Sequence, residues 1–214
     1  MSLFRKYVSS VLLTVLLLLA VRGLLVTHMR LPSDAALPGF IPRQHVFVNR
    51  LSYGLRLPGT QLWGYHRWGN SMPQVGDCIL FNLPRSAGYI FAGVPTVGVC
   101  RALPGDTVWL DPMRKLVLPA RTSPDAQPLV IPGPSGSVTV TPANVHLLAH
   151  VMQRYEQCHV AVQGNSQLML NGKPQQKVKL SRNYYWIEMR PDAYALVPHE
   201  LLIGKIMPIA RKKG

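Results

Sequence analysis

One serine raises the first chemical possibility in this chain of 214 residues. The stretch GNSMPQVGDCILFN, residues 69–82, places Ser71 shortly before a Gly-Asp pair and an apolar segment. A serine hydroxyl attacks a carbonyl efficiently only when a neighbouring base takes its proton, and lysine or histidine often serves as that base. From Ser71 as far as Lys115 the chain has neither a lysine nor a histidine. We therefore expect Ser71 to be catalytically irrelevant.

Histidines and cysteines offer little further chemistry. His146 and His150 have a metal-ligand spacing on a predicted helix, but no third ligand is evident, so we predict a solvated or packed helix face and no metal or cofactor. Cys78, Cys100 and Cys158 form no CxxC motif. One disulfide fits this number of cysteines, and so do small buried thiols in apolar strands.

The charge balance is strongly basic. The chain has 23 Lys and Arg against 9 Asp and Glu, a net charge of +14, and only four of the basic residues lie in the first thirty positions. Such a surface favours anionic lipid headgroups or nucleic acid. Without a zinc-finger spacing or an arginine-rich tract, we predict no nucleic-acid partner and keep membrane lipid as a candidate.

The amino terminus has the features of a signal-anchor. Arg5 and Lys6 precede an uncharged run over residues 7–21, which is short for a membrane span of about 20 residues, and apolar residues continue to position 29. We predict a cytoplasmic segment at 1–6, a transmembrane helix at 7–29 and an extracytoplasmic (periplasmic) body at 30–214 of a single-pass cytoplasmic-membrane protein.

A cleaved signal peptide is the alternative. Ser33 and Ala35 would fit the small residues at −3 and −1 of a cleavage site, but they lie too far beyond the apolar run for ordinary processing. We therefore expect the segment to stay uncut.

The rest of the sequence, from about residue 30 onward, is predicted to form an antiparallel β body. Short apolar runs rich in β-branched residues predict strands at 45–51, 77–82, 96–103, 107–110, 115–118, 137–141, 159–164, 167–172, 184–189 and 205–210. Asn171-Gly172 predicts a hairpin turn. One helix is predicted, with Thr141 as its N-cap, Pro142 as its first residue and Glu156 near its end. It lies in an insertion at roughly 111–180.

Four segments then resemble a known family in their order along the chain. The type I signal peptidases, membrane-anchored serine peptidases of the S26 group, have similar boxes. The matching segments are LPSDAALPGFIPRQHVFVNRLSYG (31–54, with Pro32, Ser33, Pro38, Val48, Tyr53 and Gly54 in place), GDCILFNLP (76–84), VGVCRALPGDTVWL (97–110), and YYWIEM with LVPHELLIGK (184–205). This resemblance implies a signal-peptidase-like β fold with a helix-containing insertion behind the anchor.

The resemblance also shows where this chain departs from the family. The family's nucleophilic serine aligns with Ala35 and its lysine base with Gly98. Ser71 belongs to the second box and not to the nucleophile box. Arg43-Gln44 replaces a Gly-Asp pair, and a run that braces the base is reduced to MRPDAYAL, residues 189–196. A methyl group at position 35 has no lone pair with which to attack a carbonyl.

The residues that this chain shares with the family suggest that it binds peptides without cleaving them. By resemblance, Leu31, Pro32, Ser33, Ala36 and Pro38 are peptide-binding candidates, and Ser33 stands where the family donates a hydroxyl to the oxyanion. The absent lysine stem at Gly98 is expected to leave an apolar space in the floor of the groove.

Three functions remain open. The first is a catalytically inactive homologue that holds preproteins, assists assembly or acts as a partner subunit of an active peptidase. The second is a divergent active signal peptidase with unrecognised catalytic residues. The third is a basic module that binds the membrane surface. The partners expected are exported preproteins or peptides, an active peptidase or a secretion complex, and lipid.

Overall fold

The computed structural model of the chain describes residues 2–35, 37–57, 65–84, 93–111, 116–118, 120–121, 123–164 and 166–208. Two α-helices are present in this part of the chain, α1 (Ser2–Leu25) and α2 (Val145–Tyr155), together with a short 3-10 helix at His199–Leu201. Most of the remaining structure is antiparallel β-sheet, which confirms the predicted mainly β class.

The strands follow in chain order. They are β1 (Val26–Arg30), β2 (His45–Asn49), β3 (Leu55–Arg56), β4 (Arg67–Trp68), β5 (Cys78–Pro84), β6 (Gly93–Ala102), β7 (Thr107–Asp111), β8 (Leu116–Leu118), β9 (Gln127–Val130), β10 (Val138–Thr139), β11 (Val160–Gln163), β12 (Gln167–Leu170), β13 (Lys173–Gln175), β14 (Lys177–Val178), β15 (Tyr184–Arg190), β16 (Ala193–Pro198) and β17 (Leu202–Pro208).

A seven-stranded sheet organises the body. Its order is β1-β2-β17-β5-β6-β15-β16, so the last strand of the chain lies between β2 and β5. Strands β7 to β14 form smaller sheets, β8-β7-β9, β10-β14 and β11-β12-β13, and β3 pairs with β4. The three smaller sheets formed by β7 to β14, together with α2, span 107–178.

The central strands of the main sheet are buried on both faces. In β5, Cys78 and Leu80 belong to one apolar cluster, whereas Ile79 and Phe81 belong to another. This alternation follows from the period of two in a β-strand. We call the first, smaller cluster the minor core and the second the major core. The major core contains α2 and most of the insertion; the minor core is completed by β1, β2 and the loop after β1.

Three similar turns introduce β2, β5 and β7. Before β5, Gly76 has a φ of 93°, and the Asp77 side chain accepts a hydrogen bond from the amide of the residue three positions earlier at 3.1 Å. Before β7, Gly105 has a φ of 94° and Asp106 accepts the corresponding bond at 2.8 Å. The Gly-Asp pairs of the sequence boxes are therefore turn residues here: glycine adopts the left-handed conformation and the carboxylate holds the turn.

The turn before β2 has the same geometry with different residues. Arg43 has a φ of 64°, and Gln44 accepts a hydrogen bond from the amide of Ile41 at 3.0 Å. The replacement of Gly-Asp by Arg43-Gln44 therefore preserves the turn, although an arginine has to adopt a conformation that L-residues rarely occupy.

Each predicted strand overlaps an observed strand, and residues 115, 209 and 210 of these predictions lie outside the described residues. Asn171-Gly172 forms the expected hairpin turn between β12 and β13, with both residues at positive φ. The predicted cap of α2 is wrong. The hydroxyl of Thr141 finds no hydrogen-bond partner among the described residues, and α2 begins at Val145. Asn144 stabilises the turn before α2 instead, because its side chain accepts a hydrogen bond from the Thr141 amide at 2.8 Å and donates one to the Thr139 carbonyl.

The amino-terminal helix α1 ends at Leu25, and the chain continues directly as β1, so residues 26–29 of the expected anchor segment lie in a strand. Within the described part of the chain, no helix combines the length and apolar character that a membrane span requires.

Candidate functional site

The loop between β1 and β2 contains Ala35, the position that the sequence resemblance predicts to align with the family's nucleophile. Leu31 and Leu37 insert into the minor core, and the Leu31 amide donates to the Gln44 carbonyl at 2.9 Å. Pro32 is half-buried, Ser33 and Pro38 are exposed, and Ala36 lies outside the described residues. Two buried leucines thus hold the loop while its turn faces solvent.

Ala35 packs into the protein. Its side chain is only 8% exposed and belongs to the minor core, with Leu80, Val97 and Val99 among the members of that cluster. The Ala35 amide donates to the Pro32 carbonyl at 3.3 Å, which closes a turn over residues 32–35. The position contributes apolar packing and offers no group for chemistry.

Gly98 faces the opposite side of the sheet. It pairs with Ile79 across β5 and β6, and paired residues share a face, so it alternates with Val97 and Val99 onto the side of the major core. Ala35 lies on the side of the minor core. The structure therefore does not bring the two aligned positions together.

The expectation of an empty space at Gly98 is wrong. A Cβ built on this glycine would lie 2.5 Å from Cγ2 of Ile187 and 2.7 Å from the carbonyl oxygen of Glu188. Both distances are far below van der Waals contact, and one of the two atoms belongs to the backbone. Strand β15 thus occupies the volume that a side chain at position 98 would need.

Residues from three sequence boxes meet at a second place, which sequence reasoning did not identify. The Asp77 carboxylate accepts a hydrogen bond from the hydroxyl of Tyr53 at 3.1 Å and forms an ion pair with Nζ of Lys205 at 2.6 Å. Burial, followed by the nearby Asp77 charge, raises the pKa of Tyr53, so the phenol stays protonated and acts as a donor. This cluster connects the segment after β2 with β5 and β17.

A buried histidine lies next to this cluster. Nδ1 of His199 is 3.1 Å from the hydroxyl of Tyr185, and the ring also interacts with the backbone of Tyr53. Burial, followed by the charge of Arg67, lowers the pKa of His199 to about 4. His199 is therefore neutral at pH 7, but no serine hydroxyl is among its described hydrogen-bond partners.

The turn between β15 and β16 lies in the segment 189–196, where the resemblance predicts a shortened bracing run. Arg190 forms an ion pair with Asp34 at 3.4 Å, but both side chains are more than half exposed, at 65% and 58%. An exposed pair of this kind adds little stability. The loop that contains Ala35 is therefore held mainly by its buried leucines.

The remaining candidates do not assemble into a site. Ser71 is exposed in the segment before β5, and none of the described hydrogen bonds involves its hydroxyl. His146 and His150 lie on the exposed side of α2. All three cysteines are free thiols; Cys78 and Cys100 lie in different clusters, on opposite faces of the sheet.

Comparison with known proteins identifies the family. Residues 4–120 match the family described as signal peptidase, peptidase S26. Because the match covers more than half of the chain, the protein belongs to this family. A search of curated proteins finds no match to the chain. The last box lies beyond the matched residues, and it provides β15 and β17 of the main sheet.

Proposed function

We propose that this protein is a membrane-anchored, catalytically inactive signal peptidase homologue that acts by binding exported preproteins or peptides. It would serve as a preprotein holder, an assembly factor or a partner subunit of an active peptidase. The observation that carries the proposal is the pair of aligned positions: Ala35 lacks a hydroxyl, and Gly98 lacks an amine and faces the other side of the sheet.

The exposed apolar surface of α1 supports the proposed membrane anchor. All described side chains from Tyr7 to Leu18 are exposed to solvent, and most of them are large and apolar. The sequence from 7 to 25 has a single charged residue, Arg22. A helix with such a surface is stabilised by lipid, and Arg5 and Lys6 before it favour a cytoplasmic amino terminus.

Peptide binding is supported by an open sheet edge. Among the described strands, β1 pairs only with β2, so its outer edge presents backbone amides and carbonyls without a strand partner. An extended peptide can add to such an edge through backbone hydrogen bonds. The exposed turn at Ser33 and Asp34 continues from the same edge. Neither feature requires a nucleophile or a base.

A divergent active peptidase is the competing function. It would need a serine activated by a base, and Ser71 has no such partner among the described residues. A fluorophosphonate probe labels an activated serine covalently and therefore tests this alternative directly. We expect no labelling of the pure protein; labelling that disappears in Ser71→Ala would establish the divergent peptidase.

The deciding experiment measures binding and cleavage of one peptide together. The full chain in detergent micelles is titrated with a signal peptide that carries a small-x-small motif, and the mixture is analysed by mass spectrometry. We expect weak binding, with Kd on the order of 10–1000 μM because ordering the peptide offsets much of the contact energy, and no cleavage.

A further inference from the structure

A groove of about 530 Å³ opens beside the point where α1 meets the main sheet. Its walls combine apolar side chains with two arginines, and the residues that line it are Thr27, Met29, Arg50, Arg56, Leu57, Leu80, Asn82, Pro95 and Ile203. Arg50 is tied to the helix end, because its amide donates to the carbonyl of Leu25, the last residue of α1, at 2.9 Å. The groove therefore lies next to the carboxyl end of the apolar helix.

Positive charge is concentrated on one rim of this groove. Arg56 in β3 stands directly opposite Arg67 in β4, and like charges at directly opposed strand positions repel each other. Burial lowers the pKa of Arg56, the neighbouring Tyr65 opposes this shift, and the charges of Arg67 and Arg50 add to it. The three guanidinium groups are thus close enough to interact, and a bound anion would relieve their repulsion.

Arg67 has a structural role and does not line the groove. Its guanidinium donates to the Tyr65 hydroxyl at 2.5 Å, the Tyr53 carbonyl at 2.8 Å and the Leu202 carbonyl at 2.5 Å. Arg56 and Arg67 also lie over the Tyr65 ring, at 5.9 and 5.7 Å from its centroid. The ring positions Arg56, which together with Arg50 faces the groove.

We propose that this groove binds one anionic phospholipid molecule, with the phosphate held by Arg50 and Arg56 and an acyl chain lying on Met29, Leu80 and Ile203. Guanidinium groups bind phosphate through paired hydrogen bonds, which matches the charged rim. The apolar floor favours a lipid over a soluble phosphate. This inference rests on the proposed membrane anchorage. Its apolar floor shares Met29 and Leu80 with the minor core that contains Ala35, whereas Arg50 and Arg56 are not part of that core.

The position of the groove agrees with a lipid occupant. If α1 spans the bilayer, its carboxyl end at Leu25 lies at the level of the headgroups, and so does Arg50, which is bonded to it. A hydrogen bond from each arginine to the lipid phosphate contributes about 1.5 kcal/mol, which corresponds to about tenfold per residue. Removal of both arginines should therefore weaken binding about tenfold or more.

The test counts lipids on the full chain in detergent micelles by native mass spectrometry. The probes are dioleoylphosphatidylglycerol, zwitterionic dioleoylphosphatidylcholine and soluble glycerol 3-phosphate. We expect one tightly bound phosphatidylglycerol and at least about tenfold weaker phosphatidylcholine. The double variant Arg50→Gln, Arg56→Gln should bind phosphatidylglycerol at least about tenfold more weakly. The double variant Arg50→Lys, Arg56→Lys should keep most of the affinity because both positive charges are retained. Lys173→Gln with Lys177→Gln, the same charge change at exposed sites in the insertion, should have no effect.

Three results would overturn the inference. One is unchanged phosphatidylglycerol binding in the Arg50→Gln, Arg56→Gln protein. Another is an equal loss in the control pair Lys173→Gln, Lys177→Gln, which would indicate a general charge effect. The third is displacement of the lipid by glycerol 3-phosphate at equal concentration, which would make the site one for a soluble phosphate. Peptide titration of the same samples tests the proposed function separately.

Discussion

At the scale of single residues, the surroundings of Gly98 leave no room for a side chain at the position predicted to align with the family's lysine base. A Cβ at Gly98 would lie 2.5 Å from the Ile187 side chain and 2.7 Å from the Glu188 carbonyl, so even an added methyl has no room. Overpacking of this kind costs about 1–3 kcal/mol. We expect Gly98→Ala to lower the free energy of unfolding by that amount, measured by urea unfolding in detergent micelles.

Gly136→Ala is the matched control for this change. A Cβ at Gly136 meets no atom within 4 Å, and its φ is not positive, so we expect a change within about 0.5 kcal/mol. Equal effects of the two substitutions would show that the close approach of β15 at Gly98 is absent from the protein in solution.

His199 provides a pH-dependent test of the buried polar cluster. Burial lowers its pKa from 6.5 to about 4 in the folded state, so the unfolded chain takes up the proton first. Stability from this group is therefore fully present above pH 6.5 and is lost as the pH falls towards 4. The loss amounts to about 3 kcal/mol at most.

Comparison with His199→Gln isolates this contribution from the carboxylates that titrate in the same range. We expect the wild type to lose more stability than the variant between pH 7.5 and pH 4.5, as measured by urea unfolding. Parallel losses would mean that His199 is solvated and titrates normally.

At the scale of the elements, the turns before β2, β5 and β7 explain why Gly-Asp pairs recur in the sequence. In the turn before β2, Arg43 occupies the position that glycine has in the other two turns. An L-residue in the left-handed region costs about 1–2 kcal/mol, whereas glycine there costs mainly its extra backbone entropy of about 0.5–1 kcal/mol. We expect Arg43→Gly to raise the free energy of unfolding by about 0.5–1 kcal/mol.

Arg43→Ala separates backbone conformation from the loss of the side chain. Alanine keeps a Cβ in the left-handed conformation, so it should give no gain, and the difference between the two variants reports the conformation alone. If alanine stabilises the protein as much as glycine, the positive φ of Arg43 is not the cause.

The sequence predicted those elements that have a clear apolar pattern. Strands such as β5 and β15 and the Asn171-Gly172 turn followed from β-branched runs and turn chemistry. The strands that were not predicted are β1, β3, β4, β9, β13, β14 and β16. Three of them, β3, β4 and β14, have two residues and are too short to show a period, and most of β1 lay within the predicted anchor. The start of α2 was placed too early because Thr141 and Pro142 looked like a cap, whereas the Asn144 side chain organises the turn.

The sequence proposes positions for a candidate site but does not give their geometry. Spacing from the Leu-Pro-Gly-Asp motif locates Gly98, but which face it occupies depends on its pairing with β5 and on the approach of β15. The Tyr53, Asp77 and Lys205 cluster joins residues far apart in the chain. No local pattern reveals such a contact, because it depends on the order of strands in the sheet.

At the scale of the whole molecule, the proposal places the body outside the cytoplasm. Arg5 and Lys6 precede the apolar segment, so we expect a cytoplasmic amino terminus and an exported body from about residue 30 onward. Protease added to spheroplasts should digest the body of the protein. A body that stays protected until the membrane is permeabilised would rule out this topology.

The central claim is binding without cleavage, and it is tested most directly with one signal peptide and two proteins. Wild type and Ala35→Ser with Gly98→Lys are each incubated with a small-x-small signal peptide, and intact and cut peptide are quantified by mass spectrometry. We predict that both leave the peptide intact and that wild type binds it, because position 98 has no room for a side chain, positions 35 and 98 face opposite sides of the sheet, and the bracing run is absent. Cleavage by the wild type, or no binding at millimolar peptide, would contradict the account.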